Sequence, residues 1–67
     1  MSKEFTFFTY LIESYARYKN VDASSILESF KKHHLASFIY DMYEIYHAED
    51  LHNAFSDIDD LLKTRNR

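Results

Sequence analysis

The 67-residue sequence contains no cysteine, no glycine and no proline. Without cysteine, the chain can form neither disulfide bonds nor zinc sites with thiolate ligands. Without glycine it has no glycine-rich phosphate-binding loop, and the absence of both glycine and proline leaves no sign of a linker. We therefore expect one small domain spanning residues 1–67.

Long apolar runs and excess positive charge are also absent. There is no signal-peptide hydrophobic segment and no run of eighteen apolar residues, so we expect a soluble, cytoplasmic protein without membrane contact. The formal net charge is -3. Basic residues concentrate only at Lys31-Lys32-His33-His34 and from Lys63 onward. Since binding to nucleic acid requires clustered Lys and Arg, we do not expect nucleic acid to be the main partner.

Apolar and aromatic residues, in contrast, are abundant. Hydrophobic residues make up 46% of the chain, with six Phe and six Tyr. This content is too high for a disordered segment, so the chain should fold. A domain of this size buries only about 60% of the surface that its unfolded chain exposes, and small domains commonly gain stability from a partner.

The first half of the sequence predicts two helices. In the first, from Glu4 to Lys19, an inward face is expected to contain Phe5, Phe8, Ile12, Tyr15 and Ala16. Asn20 is expected to close this helix in the left-handed conformation. Asp22 should cap the second helix, its carboxylate accepting the N-H of Ser24 or Ser25. We expect that helix to end at His33 or His34.

The second half predicts a third helix from Leu35 to His47 and a fourth from Asp50 to Thr64. Residues expected to face inward on the third helix are Leu35, Phe38, Ile39, Met42, Ile45 and Tyr46. This face is out of phase with the apolar stripe that begins at Leu51, which indicates a break near Ala48-Glu49-Asp50. The alternative is one long helix from Leu35 to Thr64. Either way the fold class is all-α, a compact bundle of three to four short helices that we expect to be dimeric.

The segment YDMYEIYHAEDLH, from Tyr40 to His52, has the residue types of a metal or acid/base site. Its histidines, His47 and His52, are five residues apart and diverge on a helix, whereas zinc-binding helices use histidines four apart. The acids lie on polar strips or in first turns, where the helix dipole accounts for them. We therefore predict no metal, no cofactor, no catalytic residue and no enzymatic activity.

Tyrosines beside the buried faces are the better candidates for a functional site. Tyr10, Tyr40 and Tyr43 lie next to the faces that a monomer would bury, and His47 continues the flank of Tyr40 and Tyr43. Tyrosine is enriched in protein-protein contacts because it combines apolar area with a hydroxyl group. We predict that Tyr10, Tyr40, Tyr43 and His47 bind a protein partner or a second copy of the chain.

The run from Phe8 to Leu62 resembles a family of short bacterial proteins classed as a domain of unknown function. The resemblance rests on a Tyr-Glu-x-x-His element at Tyr43–His47 and an Asp-Ile pair at Asp57-Ile58. The family has a glycine-containing turn where this sequence has Glu49-Asp50. Members are often encoded beside proteins similar to ADP-ribosyltransferases, which implies an antitoxin or accessory partner of such a toxin. The family has no established functional residues to carry over.

Two hypotheses of different classes follow. The first is a non-enzymatic protein-protein interaction module. The second is a helix-turn-helix DNA-binding regulator that uses the second or third helix, with Lys31, Lys32, His33 and His34 on one exposed surface. A metal-dependent enzyme ranks third.

Overall fold

The computed structural model describes residues 2–65, and these residues form five α-helices and no β-strand. The helices are α1 Lys3–Lys19, α2 Ala23–Lys32, α3 Ala36–Asp41, α4 Tyr43–Tyr46 and α5 Leu51–Arg65. The prediction of an all-α fold is confirmed. There are five helices because the expected third helix is interrupted and becomes α3 and α4.

Both ends of α1 are capped. At the start, the Ser2 hydroxyl accepts a hydrogen bond from the N-H of Phe5 at 3.0 Å. At the end, Asn20 has φ 59° and ψ 46°, and the N-H of Val21 donates back to the carbonyl of Ala16 at 2.9 Å. This is a Schellman motif, in which glycine is the usual left-handed residue. The predicted left-handed conformation of Asn20 is confirmed.

A second Schellman motif ends α2, and the sequence pattern did not reveal it. His34 has φ 58°, and the N-H of Leu35 donates to the carbonyl of Phe30 at 2.7 Å. Leu35 and Phe30 are both fully buried, so the motif also places an apolar pair in the core. His is tolerated in this conformation more readily than most residues other than glycine.

The start of α2 differs from prediction in one detail. Asp22 occupies the N-cap position with extended backbone angles, φ -75° and ψ 145°, but its carboxylate makes no hydrogen bond to the helix. The N-H of Ser25 donates instead to the backbone carbonyl of Asp22 at 3.0 Å. The predicted carboxylate bond to Ser24 or Ser25 is therefore wrong, because the exposed side chain of Asp22 remains in solvent.

The break between α3 and α4 consists of the single residue Met42. Its backbone angles, φ -82° and ψ 10°, lie outside the α-helical region. Its N-H donates to the carbonyl of Ile39, three residues back, at 3.2 Å. The next helix starts at once, since the N-H of Tyr46 donates to the carbonyl of Met42 at 2.9 Å. Residues after Met42 are thereby turned relative to those before it.

A second break separates α4 from α5, as the phase of the apolar pattern predicted. Residues 47–50 are non-helical, and the Asp50 carboxylate accepts the N-H of His52 at 2.8 Å. Asp50 is thus the N-cap of α5. The alternative of one helix from Leu35 to Thr64 is wrong, because two breaks interrupt it.

One apolar core holds the helices together, with contributions from every helix. Its buried residues are Leu11, Ile12, Tyr15, Ala16, Ile26, Phe30, Leu35, Ile39, Tyr46, Ala54, Phe55 and Ile58. Within residues 2–65, no helix combines the length and the apolar character needed to cross a membrane.

Three residues expected to face inward are exposed instead: Phe5 at 42%, Phe38 at 43% and Ile45 at 51%. Those predictions are wrong for two reasons. The expected straight third helix is broken at Met42, so Phe38 and Ile45 do not share one buried face with Ile39 and Tyr46. A domain with so few helices also lacks the surface to cover an apolar face as wide as that of α1.

Candidate functional site

A shallow aromatic groove lies between α1 and the α4 region. It has a volume of about 500 Å3 and is lined by Lys3, Thr6, Phe7, Tyr10, Tyr43 and His47. The four α1 residues are spaced three, four and seven apart from Lys3, which places them on one face of that helix. Tyr43 and His47 stand four residues apart and form the opposite wall. We refer to these six residues as the aromatic groove.

The rings of Tyr43 and His47 stack on each other in this wall. They stack in parallel, with ring centroids 4.2 Å apart and an interplanar angle of 2°. His47 Nδ1 lies 2.7 Å from the backbone carbonyl oxygen of Tyr43. A carbonyl only accepts hydrogen bonds, so Nδ1 is the protonated nitrogen and Nε2 is left to face other partners.

Phe7 forms the half-buried centre of the groove. Its ring meets Tyr43 edge to face at 5.6 Å and 75°, and meets His47 at 6.4 Å and 77°. The Tyr10 ring lies 6.3 Å from Phe7 on the other side. Phe7 was not among the contact residues predicted from the sequence. Its spacing of three from Tyr10 was the signal that would have joined the two.

The structure places the predicted contact residues in two groups. Tyr10, Tyr43 and His47 line the aromatic groove, whereas Tyr40 does not. The Tyr40 hydroxyl lies 3.2 Å from the Ser2 hydroxyl, and its ring packs 5.7 Å from Phe8. Tyr40 therefore ties α3 to the start of α1, and its role in partner binding stays a prediction.

A polar cluster separate from the aromatic groove joins α1 to α5, and the sequence analysis did not predict it. The Tyr15 hydroxyl donates a hydrogen bond to Asp59 Oδ1. Lys19 Nζ lies 3.2 Å from the same oxygen, and 5.8 Å from the centroid of the Tyr15 ring. Tyr15 and Asp59 are 44 positions apart in the sequence. Only the packing of α1 on α5 therefore reveals the cluster.

Electrostatics in this cluster favour a structural role. Burial raises the pKa of Tyr15, and the hydrogen bond and charge of Asp59 raise it further. For Asp59, partial burial acts to raise the pKa, but the hydrogen bonds from Tyr15 and Lys19 and the charge of Lys19 hold the pKa below its usual value. Tyr15 thus keeps its proton while Asp59 stays ionised, which suits a stable bond between helices and not proton transfer.

The histidines of the Tyr40–His52 segment lie apart in the fold. His47 bonds within the groove, whereas His52 Nδ1 lies 3.2 Å from the Asp50 carboxylate. The backbone N-H and ring of His52 lower the pKa of Asp50. In the described part of the chain, no three His, Cys, Asp or Glu residues come together as a metal site would require.

The basic residues named in the DNA-binding alternative surround the end of α2. Lys31, Lys32 and His34 are exposed and His33 is half-buried. The following α3 has six residues, none of them basic. The other basic concentration begins at the exposed Lys63, but the Arg65 side chain and Arg67 lie outside what the structure describes. DNA binding stays a prediction.

Comparison with known proteins gives a family and no closer relative. The search of curated proteins and the search of solved structures each returned no match to the chain. One family model matches residues 6–65, which is most of the chain and includes the whole aromatic groove except Lys3. The chain therefore belongs to the family described as "Protein of unknown function (DUF3791)".

Proposed function

We propose that this protein is a non-enzymatic interaction module that binds a protein partner through the aromatic groove. The observation that carries the proposal is the convergence of Tyr10, Tyr43 and His47 with Phe7 on one open surface. Tyr10 is 56% exposed, so a large aromatic ring faces solvent where a partner can cover it.

The composition of the groove supports a protein as the ligand. Tyr, Phe and other large side chains dominate the centres of protein interfaces, where they supply most of the binding energy. Lys3 and Thr6 add polar groups at the edge, as in the polar rim of such interfaces. The groove is open and shallow, whereas small-molecule sites enclose most of their ligand.

Contacts within the groove also support this role. The Tyr43 and His47 rings are held by their stacking and by the bond from His47 Nδ1 to the Tyr43 carbonyl. Side chains that are held by such contacts lose less entropy when a partner binds, which raises the affinity.

Two kinds of partner fit the proposal. One is an ADP-ribosyltransferase-like toxin encoded nearby, for which the chain would serve as antitoxin or accessory subunit. The other is a second copy of the chain, forming a homodimer. The first is supported by the resemblance carried by the Tyr-Glu-x-x-His element, whose Tyr43 and His47 are both in the groove.

The experiment combines sedimentation with co-purification. Purified protein is sedimented in an analytical ultracentrifuge at a series of concentrations. In a separate experiment, tagged protein is co-expressed with the product of the adjacent gene and recovered by its tag. The test variant is Tyr10→Ser. The matched control is Phe5→Ser, another exposed aromatic residue of α1, which at about 100° per residue lies on nearly the opposite side of the helix from Phe7.

We expect a complex, with itself or with the neighbouring protein, that Tyr10→Ser weakens by about 10-fold or more and Phe5→Ser leaves intact. A concentration-dependent dimer identifies the second copy as the partner, and a mixed complex identifies the neighbouring protein. A monomer at all concentrations that recovers no partner overturns the proposal, as does equal weakening by both variants.

A further inference from the structure

A second groove continues the aromatic groove along α1. It has a volume of about 490 Å3 and is lined by Tyr10, Ser14, Arg17, Tyr18, Leu51 and Phe55. We refer to these six residues as the second groove. Tyr10 lines both grooves, so the two meet at its ring. Across from α1, the first is bounded by Tyr43 and His47 and the second by Leu51 and Phe55.

The α1 residues of the two grooves form a single face of that helix. At about 100° per residue they fall within an arc of about 120°. They are Lys3, Thr6, Phe7, Tyr10, Ser14, Arg17 and Tyr18. From Lys3 to Arg17 this face extends for about four turns, or about 21 Å along the helix axis. The two grooves therefore offer a partner one continuous surface as long as a four-turn helix.

Aromatic side chains form the second groove as they form the first. Tyr18 is 53% exposed, and its ring stacks on Phe55 with the centroids 4.7 Å apart. The His52 ring meets Tyr18 edge to face at 5.8 Å. Leu51 packs against the core at the edge of the groove. Exposed rings at Tyr10 and Tyr18, about two turns apart on one face, suit the apolar stripe of an amphipathic helix.

The charges on this surface are positive and lie at its two ends. Lys3 and Arg17 are exposed, and among the described side chains neither forms an ion pair. Within residues 2–65, no Asp or Glu lines either groove, although acids outnumber Lys and Arg by 11 to 8 in the sequence. Glu13 is four residues before Arg17 but lies outside both grooves. A partner that covers this surface gains most if it brings negative charge to both ends.

The positions of the two cations disfavour a second copy of the chain as that partner. Tyr10 lies midway between Lys3 and Arg17 in the sequence. In a two-fold dimer with antiparallel α1 helices crossing at Tyr10, Lys3 of one copy faces Arg17 of the other. In a parallel dimer each cation faces its own equivalent. Like charges meet at both ends in either case, which weakens the pairing.

We propose, on the basis of the proposed function, that the two grooves bind one amphipathic helix of a different protein, with acidic residues about four turns apart. Apolar residues of that helix cover Phe7, Tyr10 and Tyr18. Acidic residues near its ends pair with Lys3 and Arg17. The apolar stripe supplies most of the affinity, and the two ion pairs fix the register of the helix along α1.

The experiment selects helices from a peptide library displayed on phage, with the full-length protein as bait. Each peptide has about 18 residues, or five turns. All carry one Leu stripe, and positions beside the stripe at both ends encode Glu, Gln or Lys. Enriched peptides are then synthesised and titrated by fluorescence anisotropy. A single-stranded oligonucleotide is titrated in parallel, because aromatic rings and cations also bind such strands.

The bait variants reverse the charge at each end of the surface. They are Lys3→Glu, Arg17→Glu and the double variant. Lys31→Glu is the matched control, because Lys31 is exposed and, like Arg17, lies in the last turn of its helix. Tyr18→Ser tests the second groove separately from Tyr10→Ser, and circular dichroism checks that each variant is folded.

We expect wild type and Lys31→Glu to enrich helices with Glu at both ends. Each single reversal of charge in the grooves should enrich helices with Glu at one end and Lys at the other, and the double variant should enrich Lys at both. The wild-type peptide should bind Tyr18→Ser about 10-fold more weakly. Added salt should also weaken its binding.

Several outcomes would overturn the proposal. If no helix is enriched, if Glu and Lys are enriched equally, or if the charge reversals leave the preference unchanged, the partner is not an acidic helix. Tighter binding of the oligonucleotide than of every peptide would replace the helix by a nucleic acid strand.

Two results separate this proposal from the function of the aromatic groove. A peptide that Tyr10→Ser weakens and Tyr18→Ser does not would confine the site to the aromatic groove. That groove would remain a binding site, while the four-turn helix would be wrong. A dimer in sedimentation that Tyr10→Ser weakens would likewise support the proposed function and contradict the foreign helix.

Discussion

The rings of Tyr43 and His47 lie face to face, 4.2 Å apart and within 2° of parallel, while His47 Nδ1 lies 2.7 Å from the carbonyl oxygen of Tyr43. The two residues are four apart, so the end of α4 brings them together without help from distant residues. The same carbonyl also accepts the backbone N-H of His47 at 3.0 Å, and its second lone pair is available to the ring. The wall of the aromatic groove is therefore fixed by local structure.

This geometry predicts the tautomer of His47. Neutral His47 should carry its proton on Nδ1, because the Tyr43 carbonyl can only accept. Nitrogen chemical shifts of the imidazole, measured by NMR in protein labelled at histidine, distinguish the two tautomers. Exposed His34, for which the structure shows no such bond among the described residues, is the internal reference. A predominantly Nε2-protonated His47 would show that the bond does not persist in solution.

Replacing Asp59 should make the protein less stable at neutral pH. In Asp59→Asn the amide oxygen can still accept from the Tyr15 hydroxyl, but the negative charge that strengthens this bond and pairs with Lys19 is lost. We expect a loss of about 1–2 kcal/mol in the free energy of unfolding at pH 7, most of it from the weaker bond to the buried Tyr15. Urea denaturation followed by circular dichroism gives this value.

The same substitution should also change the response to acid. The pKa of Asp59 is lower in the folded protein than its usual value, so the unfolded chain binds more protons on acidification. The stabilisation is therefore complete above the unfolded-state pKa of about 3.9 and disappears as the pH falls through the folded-state pKa. Wild type and Asp59→Asn should converge at low pH. A difference that stays constant from pH 7 to pH 3 would contradict this account, and Glu13→Gln controls for the loss of one exposed acid.

Glycine at position 34 should stabilise the protein. His34 holds a left-handed conformation, φ 58°, that costs a residue with a side chain about 1 kcal/mol and glycine almost nothing. His34→Gly is therefore expected to raise the melting temperature by about 4–8 °C in a domain of this size. His33→Gly is the matched control: His33 has φ -98°, so glycine gains nothing there. A melting temperature that rises equally in both variants would indicate a cause other than backbone strain.

Removing the hydroxyl groups of Tyr15 and Tyr46 should have different effects on stability. Tyr15→Phe loses the bond to Asp59 and should destabilise the protein by about 1 kcal/mol. Tyr46→Phe removes a buried hydroxyl that lacks a partner among the described residues, and should be neutral or stabilising. Both substitutions remove one oxygen from a tyrosine that is 1% exposed, so each is the control for the other. Equal destabilisation would mean that the Tyr46 hydroxyl is hydrogen-bonded in solution, for example to Asp57.

Much of the helical framework was predictable because its signals are local. The end of the first helix at Asn20 and the break before Leu51 follow from residue type and from the phase of the apolar pattern. Met42 was missed because nothing in its residue type distinguishes it from an ordinary helical position. His34 was missed because histidine is a less common left-handed residue than asparagine or glycine.

The candidate site was predictable in part for a similar reason. Tyr43 and His47 share a flank of any helix through these positions, and Tyr10 lies outside the buried face of α1. Their convergence on Phe7 depends on how α1 packs against α4, which no local pattern contains. Tyr40 shows the limit of such reasoning, since it shares the predicted flank with Tyr43 yet packs on Phe8 outside the groove.

The sequence by itself determined that the chain is helical, where most helices end, and that more aromatic surface is present than a small core can cover. These properties depend on residue type and on spacing along the chain. Only the tertiary structure decided which aromatic residues are left exposed, that Tyr15 reaches Asp59, and that Tyr46 is buried beside Asp57 with an unpaired hydroxyl. Those relationships join residues on different helices, and they depend on how the broken α3–α4 segment turns between α1 and α5.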